Sequence, residues 1–236
     1  MLGLGKGPSR GEGGEAWRRA RRHRDGGRAA EAASEYQAAL SAMMKAGDHK
    51  GVIECGAEAA AVDPGNASTH YNVGVAHGSL GRHAEALESF GRSAECDPGM
   101  GIAHHGMGLA LEMLGRHEEA LDALARAASC GPEGGQSHCA RAGILGNLGR
   151  HAEALESADL AIGMAPSLGE AHHTRGVALG WLGRHEEALA SLDRAIELDP
   201  GEAGAYGAKG EILRRMGRAS EALECLKMAR EMGARA

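Results

Sequence analysis

Apolar residues along the chain fall into stretches of about 14 residues with the spacing of one helix face, separated by short polar breaks. Residues 67–80 and 83–96 form one such pair, with Leu80, Ala86, Leu87 and Phe90 on the helical period around a Leu-Gly-Arg break. The pair then returns. The glycine of the break recurs as Gly47, Gly81, Gly115, Gly149, Gly183 and Gly217, each 34 residues after the last. Pro64, Pro98, Pro132, Pro166 and Pro200 share that register. Glycine suits a helix C-terminus, and proline disfavours helical dihedrals in the residue before it. Each of the first five periods therefore reads as helix, glycine turn, helix, proline stop, with Asp before the proline at 64, 98 and 200. The period divides the chain into repeats at 33–66, 67–100, 101–134, 135–168, 169–202 and 203–236. Before them lie a tail at 1–11, expected to be disordered, and a basic cap helix with its lead-in at 12–32.

Small residues form two further columns: Gly74, Gly108, Ala142, Gly176 and Gly210, with Leu40 as exception, and Ala86, Ala120, Ala154, Ala188 and Ala222, with Val52 as exception. They let two antiparallel helices approach closely. One helix pair has too little core to stand alone, so stacking must bury its faces. This pattern resembles the tetratricopeptide repeat (TPR), and the second repeat shows it most fully in His70, Val73-Gly74, His77, Ala86, Phe90 and Pro98. The resemblance spans residues 33–236 and implies an all-α fold, a right-handed α-solenoid of helix-turn-helix repeats.

Composition narrows the function. The formal charge is −6, but residues 1–32 carry eight Lys/Arg against four Asp/Glu, so the body is acidic and the head basic. An acidic body argues against wrapping DNA. The five cysteines contain no CxxC pair, so neither a disulfide framework nor a zinc site is expected, and a reducing cytoplasm fits. No secretory h-region or membrane-length apolar run occurs, so neither secretion nor a membrane span is expected. The segment GLGKGPS near the start lacks the P-loop spacing. Glycine, at 38 residues, is more than twice its usual share of ~7%. Inside helices such as 101–114 each costs ~0.5–1 kcal/mol relative to Ala, which predicts a soft array that firms up on ligand binding.

Nine of the thirteen histidines fall in two columns: His70, His104, His138 and His172, and His49, His83, His117, His151 and His185. Column-mates one repeat apart are about 10 Å distant, too far to share a metal whose ligand nitrogens sit at ~2.0–2.1 Å. They read as half-buried substitutes for aromatic residues, with a histidine-rich metal-binding protein as the alternative. No catalytic set stands out, and no cofactor is expected. The basic patch Arg18, Arg19, Arg21, Arg22 and Arg24 is either a solvated cap or a dock for RNA or an anionic membrane.

The TPR resemblance implies that first helices of successive repeats line a concave groove for a partner segment. By register the groove holds Gln37, Ser41, Tyr71, Asn72, Val75, His105, Leu109, Glu112, Met113, Asn147, His173, Val177, Trp181 and Glu211, with Gly78, Gly143, Gly146 and Gly180 also facing it. The carboxylate-gripping subtype of the family is not matched: Gln37, Ser41, Asn72, Ile102 and Gly106 stand at its positions, and only Asn72 fits. The expected role is therefore a non-enzymatic cytoplasmic scaffold that binds an apolar or amphipathic segment of another protein, anchored on Trp181. The last repeat ends without a further helix, leaving Leu223, Leu226 and Met228 partly uncovered and open to self-association.

Overall fold

The computed structural model describes residues 11–131 and 134–233; the expected disorder of the first ten residues and the fate of Pro132 lie outside them. Among the described residues there are thirteen α-helices and no strand. The first six are α1 (Glu12–Asp25), α2 (Ala29–Lys45), α3 (His49–Val62), α4 (Ala67–Ser79), α5 (His83–Cys96) and α6 (Gly101–Met113). They are followed by α7 (His117–Ser129), α8 (Gly134–Asn147), α9 (His151–Met164), α10 (Gly169–Trp181), α11 (His185–Leu198), α12 (Ala203–Arg215) and α13 (Ala219–Gly233). The chain forms two compact units, one up to Ala123 and one from Leu124.

One turn recurs throughout. At Gly27, Gly47, Gly81, Gly115, Gly149, Gly183 and Gly217 the backbone is left-handed, with φ between 70° and 78°. The residue after each glycine donates its N–H to the carbonyl five residues back, as Arg82 does to His77 (3.0 Å) and Arg184 to Leu179 (3.0 Å). This is the Schellman closure of a helix end, and a Cβ would strain it. The arginine that follows then pairs with a glutamate three residues on: Arg116–Glu119, Arg150–Glu153, Arg184–Glu187 and Arg218–Glu221. The carboxylate lies in the first turn of the next helix, where the helix dipole favours it. The Arg-His-x-Glu at 116–119, 150–153 and 184–187 is thus a helix start.

Within a repeat the helices touch through the small columns. A Cβ at Gly176 would lie 2.6 Å from Leu192 Cγ, and one at Gly74 would lie 2.7 Å from Phe90 Cδ1. Phe90, the single Phe of the chain, is wedged between Gly74 of α4 and Gly106 of α6, where a Cβ would sit 2.8 Å from its Cε1. Three of the fourth-position histidines have a defined partner. His70, His104 and His172 donate Nε2–H to the carbonyls of Pro64, Pro98 and Pro166, six residues back, at 3.0–3.1 Å. Each ties the start of a repeat to the proline turn before it, a role more specific than filling an aromatic position.

The N-terminal unit departs from the 34-residue spacing at its start. Gly27 makes the same turn as the repeats but lies only 20 residues before Gly47. Seven before and five after Gly27 stand Ala20 and Ala32, both fully buried, at the offsets of Gly74 and Ala86 from Gly81. At those offsets from Gly47 stand Leu40 and Val52, also fully buried but large. The close small-residue pairing is therefore α1 with α2, while α3 packs more widely. Trp17, Tyr36, Leu40, Met43, Val52, Cys55 and Ala76 form one core across α1–α4. A cap at 12–32 followed by a repeat at 33–66 is one way to divide this group.

In the C-terminal unit a second ladder links repeats. Arg175 Nε donates to Asp159 of α9 at 2.7 Å while its Nη1 donates to Ser191 of α11 at 2.5 Å. Lys209 of α12 pairs likewise with Asp193 of α11. Each cation on a first helix is thereby tied to the second helix of the repeat before.

Candidate functional site

The register brings five of the proposed groove residues together in the C-terminal unit. Asn147, His173, Val177 and Trp181 line a hollow of about 480 Å³ with Gly143, Gly146, His151 and Thr174. Val177 and Trp181 also line a smaller hollow of about 90 Å³, together with Gly180, Ala208, Glu211, Ile212 and Arg215. Trp181, the last residue of α10, stands between the two and is 58% exposed.

Two neighbours hold the Trp181 ring. The His151 imidazole, at the start of α9, stacks on it with centroids 5.3 Å apart and planes 4° from parallel. From α12, the Arg215 guanidinium carbon lies 4.6 Å from the ring centroid, a cation–π geometry. Arg215 Nε also donates to Glu211 Oε1 (3.1 Å), and Arg214 donates to both Glu211 oxygens at 2.8 and 2.9 Å. These two guanidiniums hold the Glu211 carboxylate down at about 2. The sequence register places neither His151 nor Arg215 in the groove. Arg215 follows Trp181 by one repeat in the same column, and His151 opens the helix after Asn147, so register alone pointed near both.

The floor of the larger hollow is glycine. A Cβ built at Gly143 or Gly146 would meet nothing within 4 Å, so neither glycine is demanded by packing. Polar groups are sparse and none of the lining residues is a carboxylate. Thr174 donates to the Glu170 carbonyl (2.9 Å), and His173 Nδ1 sits 2.5 Å from Glu202 Oε1.

The proposed groove residues of the N-terminal unit play mixed roles. Gln37 donates to Thr69 Oγ1 at 2.6 Å. Tyr71 packs on Phe90, with centroids 5.7 Å apart, and with Val75 flanks the Ala86–Phe90–Ala110 core. Asn72, His105 and Glu112 are half-buried, whereas Ser41, Leu109 and Met113 are exposed, Met113 by 64%.

The basic patch is largely committed within the unit. Glu58 of α3 accepts from Trp17 Nε1 (3.3 Å), Arg21 Nε (2.9 and 3.1 Å), Arg24 Nη1 (2.9 Å) and the Tyr36 hydroxyl (3.0 Å). Arg19 binds Glu35 at 2.9 Å, while Arg18 and Arg22 are exposed. Burial pushes the Glu58 carboxyl up, but the bonds from Arg21, Tyr36 and Trp17 outweigh it and leave the group below the usual carboxylate range. Burial and the bond to Glu58 push the Tyr36 hydroxyl up to about 12.

For the metal alternative, no group of three or more His, Cys, Asp or Glu side chains among the described residues is placed to hold an ion. Among the same residues no helix is long and apolar enough to cross a membrane.

Tetratricopeptide-repeat family models match residues 53–101, 105–169 and 182–235, most of the chain. The chain belongs to the tetratricopeptide repeat family. Its fold class is the all-α helical-repeat class of the solenoids, and by family it is a protein-interaction scaffold in the general sense. Among solved structures, YrrB, described as a TPR protein with an unusual peptide-binding site, is 24% identical with a TM-score of 0.62, covering 76% of this TPR chain and 93% of its own. PilF of Pseudomonas aeruginosa is 15% identical with a TM-score of 0.74, covering 88% and 99%. MamA of Desulfovibrio magneticus RS-1 is 20% identical with a TM-score of 0.62, covering 71% and 95%. At these identities the likeness is one of fold. No curated protein matches the sequence.

Proposed function

We propose that this TPR chain is a non-enzymatic scaffold that captures an apolar or amphipathic segment of another protein at the Trp181 hollow. The observation that carries this reading is the combination at one place of an exposed, immobilised indole and a hollow kept open by glycines that packing does not require. Exposing a large aromatic loses the benefit of burying it. Leaving Gly143 and Gly146 inside α8 forgoes ~0.5–1 kcal/mol of helix stability each. A segment that seats an apolar side chain against the indole recovers apolar burial and stiffens the glycine-rich helices. Tryptophan held in place before binding loses little conformational entropy on contact, which suits a binding anchor.

Two substitutions test this together. Trp181→Ala removes the anchor, and Gly146→Leu fills the hollow from its floor, where an added Cβ meets nothing within 4 Å. Each is expected to weaken partner capture by roughly 30-fold, the effect of a binding hot spot worth ~2 kcal/mol. Gly146→Leu should at the same time hold or raise the thermal midpoint, separating occlusion from unfolding. Retained capture by both folded variants in a quantitative pulldown would sink the proposal.

A further inference from the structure

The charges and hydrogen-bonding groups around Trp181 also constrain the kind of segment that would fit. This rests on the Trp181 reading above and deepens it. We infer that the occupant is an extended segment in which a large apolar side chain stands beside an acidic one.

The charge argument begins at α12. Glu211 is shared between Arg214 and Arg215, so two guanidiniums face one carboxylate and the trio carries one unbalanced positive charge. The Arg215 end of that excess lies over the Trp181 ring, on the rim that any occupant must touch. On the other side of the indole the larger hollow offers His151, His173, Asn147 and Thr174, and no carboxylate. An acidic side chain next to the anchoring apolar one therefore meets a rim whose carboxylate, Glu211, is already bound by both guanidiniums, and no carboxylate in the lining of the larger hollow. A lysine at the same place would meet Arg215.

The backbone argument concerns conformation. A helix satisfies its own backbone groups and would meet the hollow only through the side chains of one face. An extended segment is slimmer and leaves its N–H and C=O groups unpaired. The Asn147 amide, exposed on the wall of the hollow, offers both donor and acceptor. The polar lining thus has a use with an extended chain that it lacks with a helical one.

Calorimetric titration of the full chain with three blocked synthetic peptides tests the inference. The first is Gly-Ser-Glu-Phe-Glu-Ser-Gly-Ser, the second has Lys in place of both Glu, and the third places the same Phe and Glu residues on an alanine-rich helix. The Glu peptide should bind best and lose at least about tenfold in affinity with Trp181→Ala. The Lys peptide should bind about tenfold more weakly at low salt, since each exposed charge contact is worth a few-fold and reversal turns attraction into repulsion. Arg215→Gln should remove most of that preference. Equal affinity for the Glu and Lys peptides, tighter binding of the helical one, or no binding of any up to about 1 mM would each overturn it. Failure of these peptides while Trp181→Ala still abolishes partner capture would reject the acidic extended occupant and leave the site reading intact. Partner capture indifferent to Trp181→Ala would reject the site first, and this inference with it.

Discussion

Both tryptophans of the chain lie under an arginine, 4.6 Å from guanidinium carbon to ring centroid, and in little else are they alike. Trp17 is 2% exposed, its indole N–H is spent on Glu58, and Arg21 above it is bound to the same carboxylate. Trp181 is 58% exposed, and Arg215 above it shares Glu211 with a second arginine, as Arg21 shares Glu58 with Arg24, but on a carboxylate more open to solvent. One arrangement closes on itself and the other is left with an unsatisfied edge. An aromatic–arginine contact is thus a motif of either stability or recognition, and the neighbours decide which: a half-buried carboxylate that accepts from four residues, or an open glycine floor.

Breaking each side of the pair should show this. Trp17→Ala should cost about 3–5 kcal/mol in urea denaturation, as expected for deleting a buried large side chain, while Trp181→Ala should stay within about 1 kcal/mol of the parent. Comparable losses would dissolve the contrast. Glu58→Gln should cost about 2 kcal/mol, because charged donors on α1 and the Tyr36 hydroxyl lose their shared acceptor, whereas Glu211→Gln should be almost silent.

The Glu58 effect carries a pH signature. The carboxyl is lowered in the folded state, so its contribution is complete above the ordinary carboxylate range and is lost as pH falls through the lowered folded value. The stability gap between parent and Glu58→Gln should therefore be wide at neutral pH and narrow in acid, measured as urea midpoints across that range. A gap that holds constant into acid would mean that Glu58 acts only through its shape. The smallest expected effect is spectroscopic. Acrylamide should quench the emission of Trp17→Phe, which retains Trp181, more strongly than that of Trp181→Phe, which retains Trp17. Equal quenching would contradict the burial difference.

The repeat architecture was legible because it rests on backbone requirements that few residues meet: left-handed glycine at one place, proline at another, small residues where helices touch. The Trp181 neighbourhood was half legible. Register named Asn147, His173, Val177 and Glu211 as neighbours, but which side chains swing over the ring depends on rotamers that periodicity does not encode. The closed arrangement at Glu58 left a trace that was readable in principle. At its column the later repeats carry Arg92, Arg126, Leu160, Arg194 and Met228, so Glu58 is the single acid there, opposite a basic helix. The head was hidden for a different reason: its glycine turn obeys the repeat's chemistry at a spacing of 20, so a search by period passes over it.

The tie from histidine to the proline carbonyl spans only six residues. A joint of that kind is internal to a short piece of sequence and needs nothing from the partner it orients. Copying the piece copies a working joint, with its angle already set. Lengthening the array then calls for no new design at the seams, and selection is left free to act on the few columns that face a ligand.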